Sequence, residues 1–378
     1  MATGGLAVLL SPSIQPHSFP GLDIIGKIVY VYDLVIFTLV TAAISYRFTR
    51  WPGTLKESLT HPTESLYFGT SLLSLASIIS SIEYYGVPSC GPWLITVYRV
   101  LFWIYCTVTF LVAVGQYYVL FTNPALKFRD MTPAWDLPIF PFMLSGTIAR
   151  VGAASQSREH AIPMLVAGLT AQGLGFWISL LMYASYMRRM ITFGFPSPHT
   201  RPAMFIAVGP PSFTSLALIG MADDYALRGQ GYAFLGTDAD LTSQVLQIVA
   251  TVAAIFLWSL SFWFFCISFT SCFAVAVRRQ LPFRLNWWSF VFPNVGFTIA
   301  TIDIGTQLQS QGVLWVGTAM TIALVCVYLF VLVHQVRAVY LGRILSEGKD
   351  EDVYVKEEHR KRDVLGQVVQ KAENPKGD

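Results

Sequence analysis

The run QVLQIVATVAAIFLWSLSFWFFCISFTSCFA, Gln244–Ala274, holds no charged residue along its whole length. A helix rises about 1.5 Å per residue and the hydrocarbon core of a bilayer is about 30 Å thick, so roughly twenty apolar residues suffice to cross it. In hydrocarbon every backbone N–H and C=O must be paired within the protein, which makes an apolar run of this length a membrane helix. Eight further runs repeat the pattern: Ile24–Tyr46, Leu66–Tyr85, Trp93–Phe121, Leu137–Ala154, Ala161–Tyr186, Met204–Ala222, Trp287–Leu308 and Val313–Val336. With 54% hydrophobic and 12% charged residues among 378, the composition excludes a water-soluble globule. The chain is an all-α integral membrane protein.

Met1–Leu10 is apolar from its first residue, yet reaches only about 15 Å as a helix. It lacks the cationic start and small-residue cleavage site of a signal peptide. It reads as the outer half of a truncated first helix, with a re-entrant segment as the alternative.

Basic residues in short loops mark the cytosolic side. They fall on alternate loops: Arg47, Arg50 and Lys56; Lys127 and Arg129; Arg188, Arg189 and Arg201; Arg278, Arg279 and Arg284. The intervening loops Ser11–Asp23 and Gly86–Pro92 hold no basic residue, and Asp223–Thr242 is acidic. With ten crossings, both termini of the complete protein are cytosolic. Residues 1–336 then form the membrane domain and 337–378 a charged cytosolic tail, too polar to bury a core. The net charge of +3 follows from this loop asymmetry, so no nucleic-acid partner is implied.

Enzyme readings find no support. The six histidines are dispersed and form no H-E-x-x-H pair, and the five cysteines follow no metal or disulfide spacing. No metal, cofactor or catalytic residue is expected. GLDIIGK, Gly21–Lys27, matches the start of a phosphate loop but continues with Ile28, where a magnesium-binding hydroxyl is required. With its mass in the membrane, such a chain moves something across it.

The spans differ in texture. Counting Met1–Leu10 as first, the even ones are uniformly apolar and suit lipid. Three odd ones mix proline, glycine and hydroxyls: FPFMLSGTIA (Phe140–Ala149), VGPPSFTSLALIG (Val208–Gly220) and FPNVGFTIATIDIG (Phe292–Gly305). Mid-span proline frees a backbone carbonyl, which is tolerated against protein or a wet cavity. Close helix packing explains the small residues equally well, but a polar central pathway also explains the prolines and hydroxyls. Phe140-Pro141 before Thr147-Ile148-Ala149 echoes Phe292-Pro293 before Thr298-Ile299-Ala300, as repeated hairpins around an axis would.

The stretches HPTESLYF (His61–Phe68), VPSCGPWL (Val87–Leu94), TPAWDLPIFP (Thr132–Pro141), GPPSFTSLALIGMA (Gly209–Ala222) and WWSFVFPNVGFTIAT (Trp287–Thr301) resemble the fungal malic acid/C4-dicarboxylate transporters. These belong to the tellurite-resistance/dicarboxylate transporter family, with the plant slow anion channels and fungal sulfite efflux pumps. The resemblance implies ten helices in five hairpins around a central pore, odd helices inside, in the plasma membrane. It implies a voltage-dependent anion channel architecture, transport of malate and related C4-dicarboxylates, and a homotrimer as in some members. Small-inorganic-anion efflux and a non-transporting, defective paralogue are the alternatives. The family's pore is plugged by a phenylalanine beside a proline on the ninth helix, which here is Phe292.

Charges and hydroxyls fill in the expected site. Arg150, on an inner span near the outer mouth, would concentrate anions by focusing. Ser145, Thr147, Ser212, Thr214 and Thr298 are the candidate pathway hydroxyls, where weak binding would suit rapid passage. His61, Glu64 and Asp303 are the titratable candidates for proton coupling. Asp33, inside a span, is expected to pair with Lys27, because an ionisable residue there costs roughly 2.5–3.5 kcal/mol and calls for a partner.

Overall fold

A computed structural model describes residues 1–61, 64–122, 127–228, 238–342 and 344. It is helical throughout, with no strand among the described residues. The first half runs α1 (Ala2–Leu9), α2 (Leu22–Arg50), α3 (Thr54–Thr60), α4 (Glu64–Tyr67), α5 (Gly69–Ser81), α6 (Val87–Cys90) and α7 (Trp93–Thr122). The second runs α8 (Phe140–Met143), α9 (Ser145–Gly152), α10 (Arg158–Phe193), α11 (Gly209–Arg228), α12 (Ala239–Val277), α13 (Phe292–Gln307) and α14 (Gln311–Tyr340).

Seven helical stretches among the described residues are long and apolar enough to cross a bilayer. The expected spans at Leu137–Ala154 and Trp287–Leu308 are instead built in pieces. One joins a 3-10 turn at Pro133–Asp136 to α8 and α9, and the other joins a 3-10 segment at Leu285–Phe290 to α13. The seventh expected span also starts earlier than its apolar run, because a 3-10 segment at Pro198–Val208 leads into α11.

Burial separates the helices into two layers. Of the most apolar window in Pro198–Tyr225, 94% is buried, against 6% in Leu22–Arg50. All of α1 and nearly all of α13 are buried as well. Each of α1, α5, α8–α9, α11 and α13 touches the next, and α13 returns to α1, closing an inner ring. Around it α2, α7, α10, α12 and α14 expose Leu39, Leu111, Leu181, Phe256 and Val333, the side chains a lipid tail would cover.

The prolines do not interrupt helices as their mid-span positions implied. Pro141 and Pro293 lie in the first turns of α8 and α13, and Pro210 and Pro211 in that of α11. A first-turn N–H has no partner within its own helix, so proline forfeits no bond there. The irregular backbone lies just before, in the 3-10 segments.

Outer helices supply the donors that this irregular backbone needs. Along α7 a buried stripe of Tyr98, Phe102, Tyr105, Thr109, Ala113 and Tyr117 faces the ring. Tyr98 donates to the Ile148 carbonyl at 2.7 Å, Tyr105 to that of Pro141 at 2.8 Å and Tyr117 to that of Trp135 at 3.2 Å. One face of α7 therefore serves the broken inner segment, whereas its texture indicated lipid alone. Leaving a buried carbonyl unpaired costs about 1–3 kcal/mol. Tyr105→Phe is expected to lower the melting temperature of the detergent-purified protein, while Tyr118→Phe, at a side chain 71% exposed, leaves it unchanged.

Asp33 does not pair with Lys27. Lys27 Nζ lies 2.8 Å from Asp23, one turn earlier, whereas Asp33 is buried beside Gly4 of α1. Six residues separate Lys27 from Asp33, about 600° of helix rotation, so the two point to different faces.

Candidate pathway and its phenylalanine layer

A cavity of about 30 Å3 lies inside the ring, and every inner segment contributes to its wall. Gly5 of α1, Ser77 and Ser80 of α5, Thr147 and Arg150 of α9, Phe213 of α11 and Phe292 of α13 line it, together with Tyr84. One water needs about 10–15 Å3 by this measure, so the space holds two or three.

Three phenylalanines, one each from α8, α11 and α13, form a layer at one end of the cavity. Phe213 stacks on Phe292 with centroids 5.3 Å apart and planes at 24°. Phe140 meets Phe292 edge-on at 6.2 Å and Phe213 at 5.7 Å. Offset and edge-to-face arrangements at these distances are favourable beyond the area they bury. Phe140 and Phe292 are the first residues of α8 and α13, and Gly209 opens α11 where its 3-10 segment ends. The layer thus forms where the inner segments become regular helices.

Glycines leave the room these rings occupy. A Cβ on Gly209 would lie 2.6 Å from Phe140, and one on Gly296 would lie 2.6 Å from Phe213. Real Cβ contacts are not that short, so any larger residue at either position displaces a ring.

Arg150 and Asp303 form one unit. Arg150 Nη2 donates to Asp303 Oδ1 at 3.0 Å and Nη1 lies 2.6 Å from Oδ2, a close ion pair with one hydrogen bond that joins α9 to α13. Nη1 also donates to the Leu216 carbonyl of α11 at 3.0 Å. A hydrogen bond between two charged groups is stronger than one between neutral groups. A Cβ on Gly220 would overlap the Arg150 stem, so the guanidinium crosses α11 where that helix has no side chain. As a member of this pair Arg150 is not a free cation, and Asp303 is not a free carboxylate.

The other expected site residues scatter. Thr147 lines the cavity. Ser145, Ser212, Thr214 and Thr298 are buried but do not line it. Ser212, Thr214 and Thr298 hydroxyls donate to carbonyls of their own turns, Val208, Pro210 and Asn294, and Thr214 also receives the Gln172 amide. Hydroxyls in apolar helices satisfy their donor in this way. His61 and Glu64 do not line the cavity, and Glu64 opens α4, at the start of the stretch that contains α5. There Ser58 and Arg47 meet the Glu64 carboxylate, and the Glu64 N–H faces His61 Nδ1.

Ser77 and Ser80 were overlooked in the sequence, although a signal exists. Ser71, Ser74, Ser77 and Ser80 recur every third residue, which aligns hydroxyls along one side of a helix. Tyr84 and Phe213 carry no comparable signal.

A closed ring of buried helices inside a lipid-facing layer, with a cavity on its axis, defines a membrane protein built around a central pathway. The chain belongs to the voltage-dependent anion channel (SLAC1) family, whose model matches residues 1–336. It is 37% identical over 355 residues to the malic acid transport protein of Schizosaccharomyces pombe, covering 94% of this chain and 80% of that one. A putative malic acid transport protein of the same yeast is also 37% identical, with coverage of 93% and 81%. The sulfite efflux pump SSU1 of Arthroderma benhamiae is 25% identical, with coverage of 88% and 86%.

Proposed function

We propose that this chain carries malate and related C4-dicarboxylates across the plasma membrane, along the axis of the inner ring. The closed ring with its cavity is the observation that carries the transport reading. The substrate follows from relatives named for malic acid transport, which are more similar to this chain than the sulfite pump. Phe292 is the gate, with Phe213 and Phe140 completing the plug. Thr147 and Arg150 belong to the anion's path. The membrane domain is residues 1–336 and the cytosolic tail 337–378. The fold has ten crossings with both termini in the cytosol, and the protein assembles as a trimer and catalyses no reaction. With room for two or three waters, the cavity admits a four-carbon diacid only after the plug moves.

Radiolabelled malate uptake into proteoliposomes, with sulfite and chloride as competitors, tests this reading. Saturable malate flux is expected. Sulfite or chloride flux without malate flux would favour the inorganic-anion alternative, and no flux of any anion would favour a non-transporting protein.

A further inference from the structure

Among the described residues that line the cavity, Arg150 is the cation, and its guanidinium fork is already occupied by Asp303. A carboxylate is the very group a dicarboxylate presents. With Nη2 donating to Asp303 and Nη1 set between Asp303 and the Leu216 carbonyl, the guanidinium cannot also present both groups to an entering carboxylate. The remaining charged and titratable groups around the pair are Glu83 and Tyr84, on the turn after α5, and Asp223 and Asp224 at the end of α11. Asp223 is occupied by the side-chain amides of Gln247 and Gln307. None of these neighbours is a second cation, so an incoming anion has nowhere else to place its charge.

We propose that Arg150 is the docking point for the substrate carboxylate and that Asp303 is a built-in competitor holding it between transport events. The entering carboxylate displaces Asp303 from Arg150, and Asp303 takes up one proton as it leaves. The exchange balances: a cation, the Asp303 carboxylate, a substrate carboxylate and one proton from water become a cation, a substrate carboxylate and a neutral acid. A monoanion therefore leaves the site neutral, and a dianion adds a single negative charge. The inference rests on the transport reading above and gives it a substrate-binding residue and a pH dependence.

The apparent affinity for a ligand falls by the fraction of time its site is taken, so removing the competitor restores it. In proteoliposomes of the full chain at pH 7, Asp303→Asn is expected to lower the half-saturating malate concentration about tenfold. It should also flatten the change in that concentration between pH 5 and pH 7. Malate's own titration is common to both proteins, so the difference between them belongs to residue 303. Arg150→Gln is expected to raise the half-saturating concentration about tenfold, whether or not Asp303 is present. Asp224→Asn is expected to keep the wild-type pH response.

A merely structural tie between α9 and α13 predicts otherwise. Asp303→Asn would lose thermal stability with half-saturation and pH response unchanged, and the exchanged pair Arg150→Asp with Asp303→Arg would restore both transport and stability. Either result overturns the proposal. If Asp303→Asn does not fold, the wild type decides the matter: millimolar sulfate, doubly charged at both pH values, should protect it against heat more at pH 5 than at pH 7. Equal protection overturns the proposal. A wild type that moves no anion refutes the transport reading itself, a result distinct from unaltered kinetics in Asp303→Asn.

Discussion

Replacing Phe292 with alanine is expected to raise anion conductance about tenfold or more over wild type at matched surface expression, the change that about 1.4 kcal/mol off a barrier produces. The ring is 3% exposed, lines the cavity and stacks on Phe213. Apolar side chains at a constriction block ions by excluding water, so truncating the ring admits water and lowers the barrier. Phe213→Ala should follow closely, because that ring shares the cavity wall. Phe140→Ala should open the pathway least, since Phe140 supports the other two edge-on and does not line the cavity. Equal effects of all three would mean loosened packing and no gate. Unchanged or lower conductance in a well-folded Phe292→Ala protein would place the barrier elsewhere.

Gly152→Val is expected to abolish the folded protein. A Cβ at Gly152 overlaps the Tyr98 ring, which is fully buried between α7 and α9 and tied to the Ile148 carbonyl. The ring can yield only by breaking that bond, so overpacking of about 1–3 kcal/mol adds to about 1–3 kcal/mol for the buried Tyr98 hydroxyl left unpaired. Fluorescence-detected gel filtration of a tagged protein should show the monodisperse peak lost. Gly173→Val should keep it, because nothing lies within 4 Å of a Cβ at that position. A normal peak for Gly152→Val would mean that α7 packs more loosely on α9 than the structure shows.

Much of the architecture was written in residue texture. Uninterrupted apolar runs such as Gln244–Ala274 became lipid-facing helices, and segments mixing proline, glycine and hydroxyls became the buried ring. Hydropathy reads this division because a lipid-facing helix is apolar on all exposed sides, while an inner helix can carry small polar groups. The pieces within the inner segments were less legible. Proline signals that a helix cannot pass through it, but not that the helix begins there, as α8 and α13 do. Pathway residues were harder still. Ser212, Thr214 and Thr298 look like pore hydroxyls in the sequence, yet each turns back to its own helix. Arg150 and Asp303 are 153 residues apart, a pairing that only the closure of the ring brings about. The partner of Phe292 was hidden for a similar reason, since Phe213 adjoins no proline directly and stands between Ser212 and Thr214, in a stretch whose hydroxyls draw the eye.

A cysteine placed in the cavity tests most directly whether the anion travels through the ring. The natural cysteines Cys90, Cys106, Cys266, Cys272 and Cys326 are first replaced by serine or alanine, and Thr147→Cys is then introduced. A charged thiol reagent should block malate flux in proteoliposomes, and malate should slow the reaction. Phe292→Ala, which opens the plug, should speed it. Complete modification at residue 147 with undiminished malate flux would contradict a pathway through this cavity.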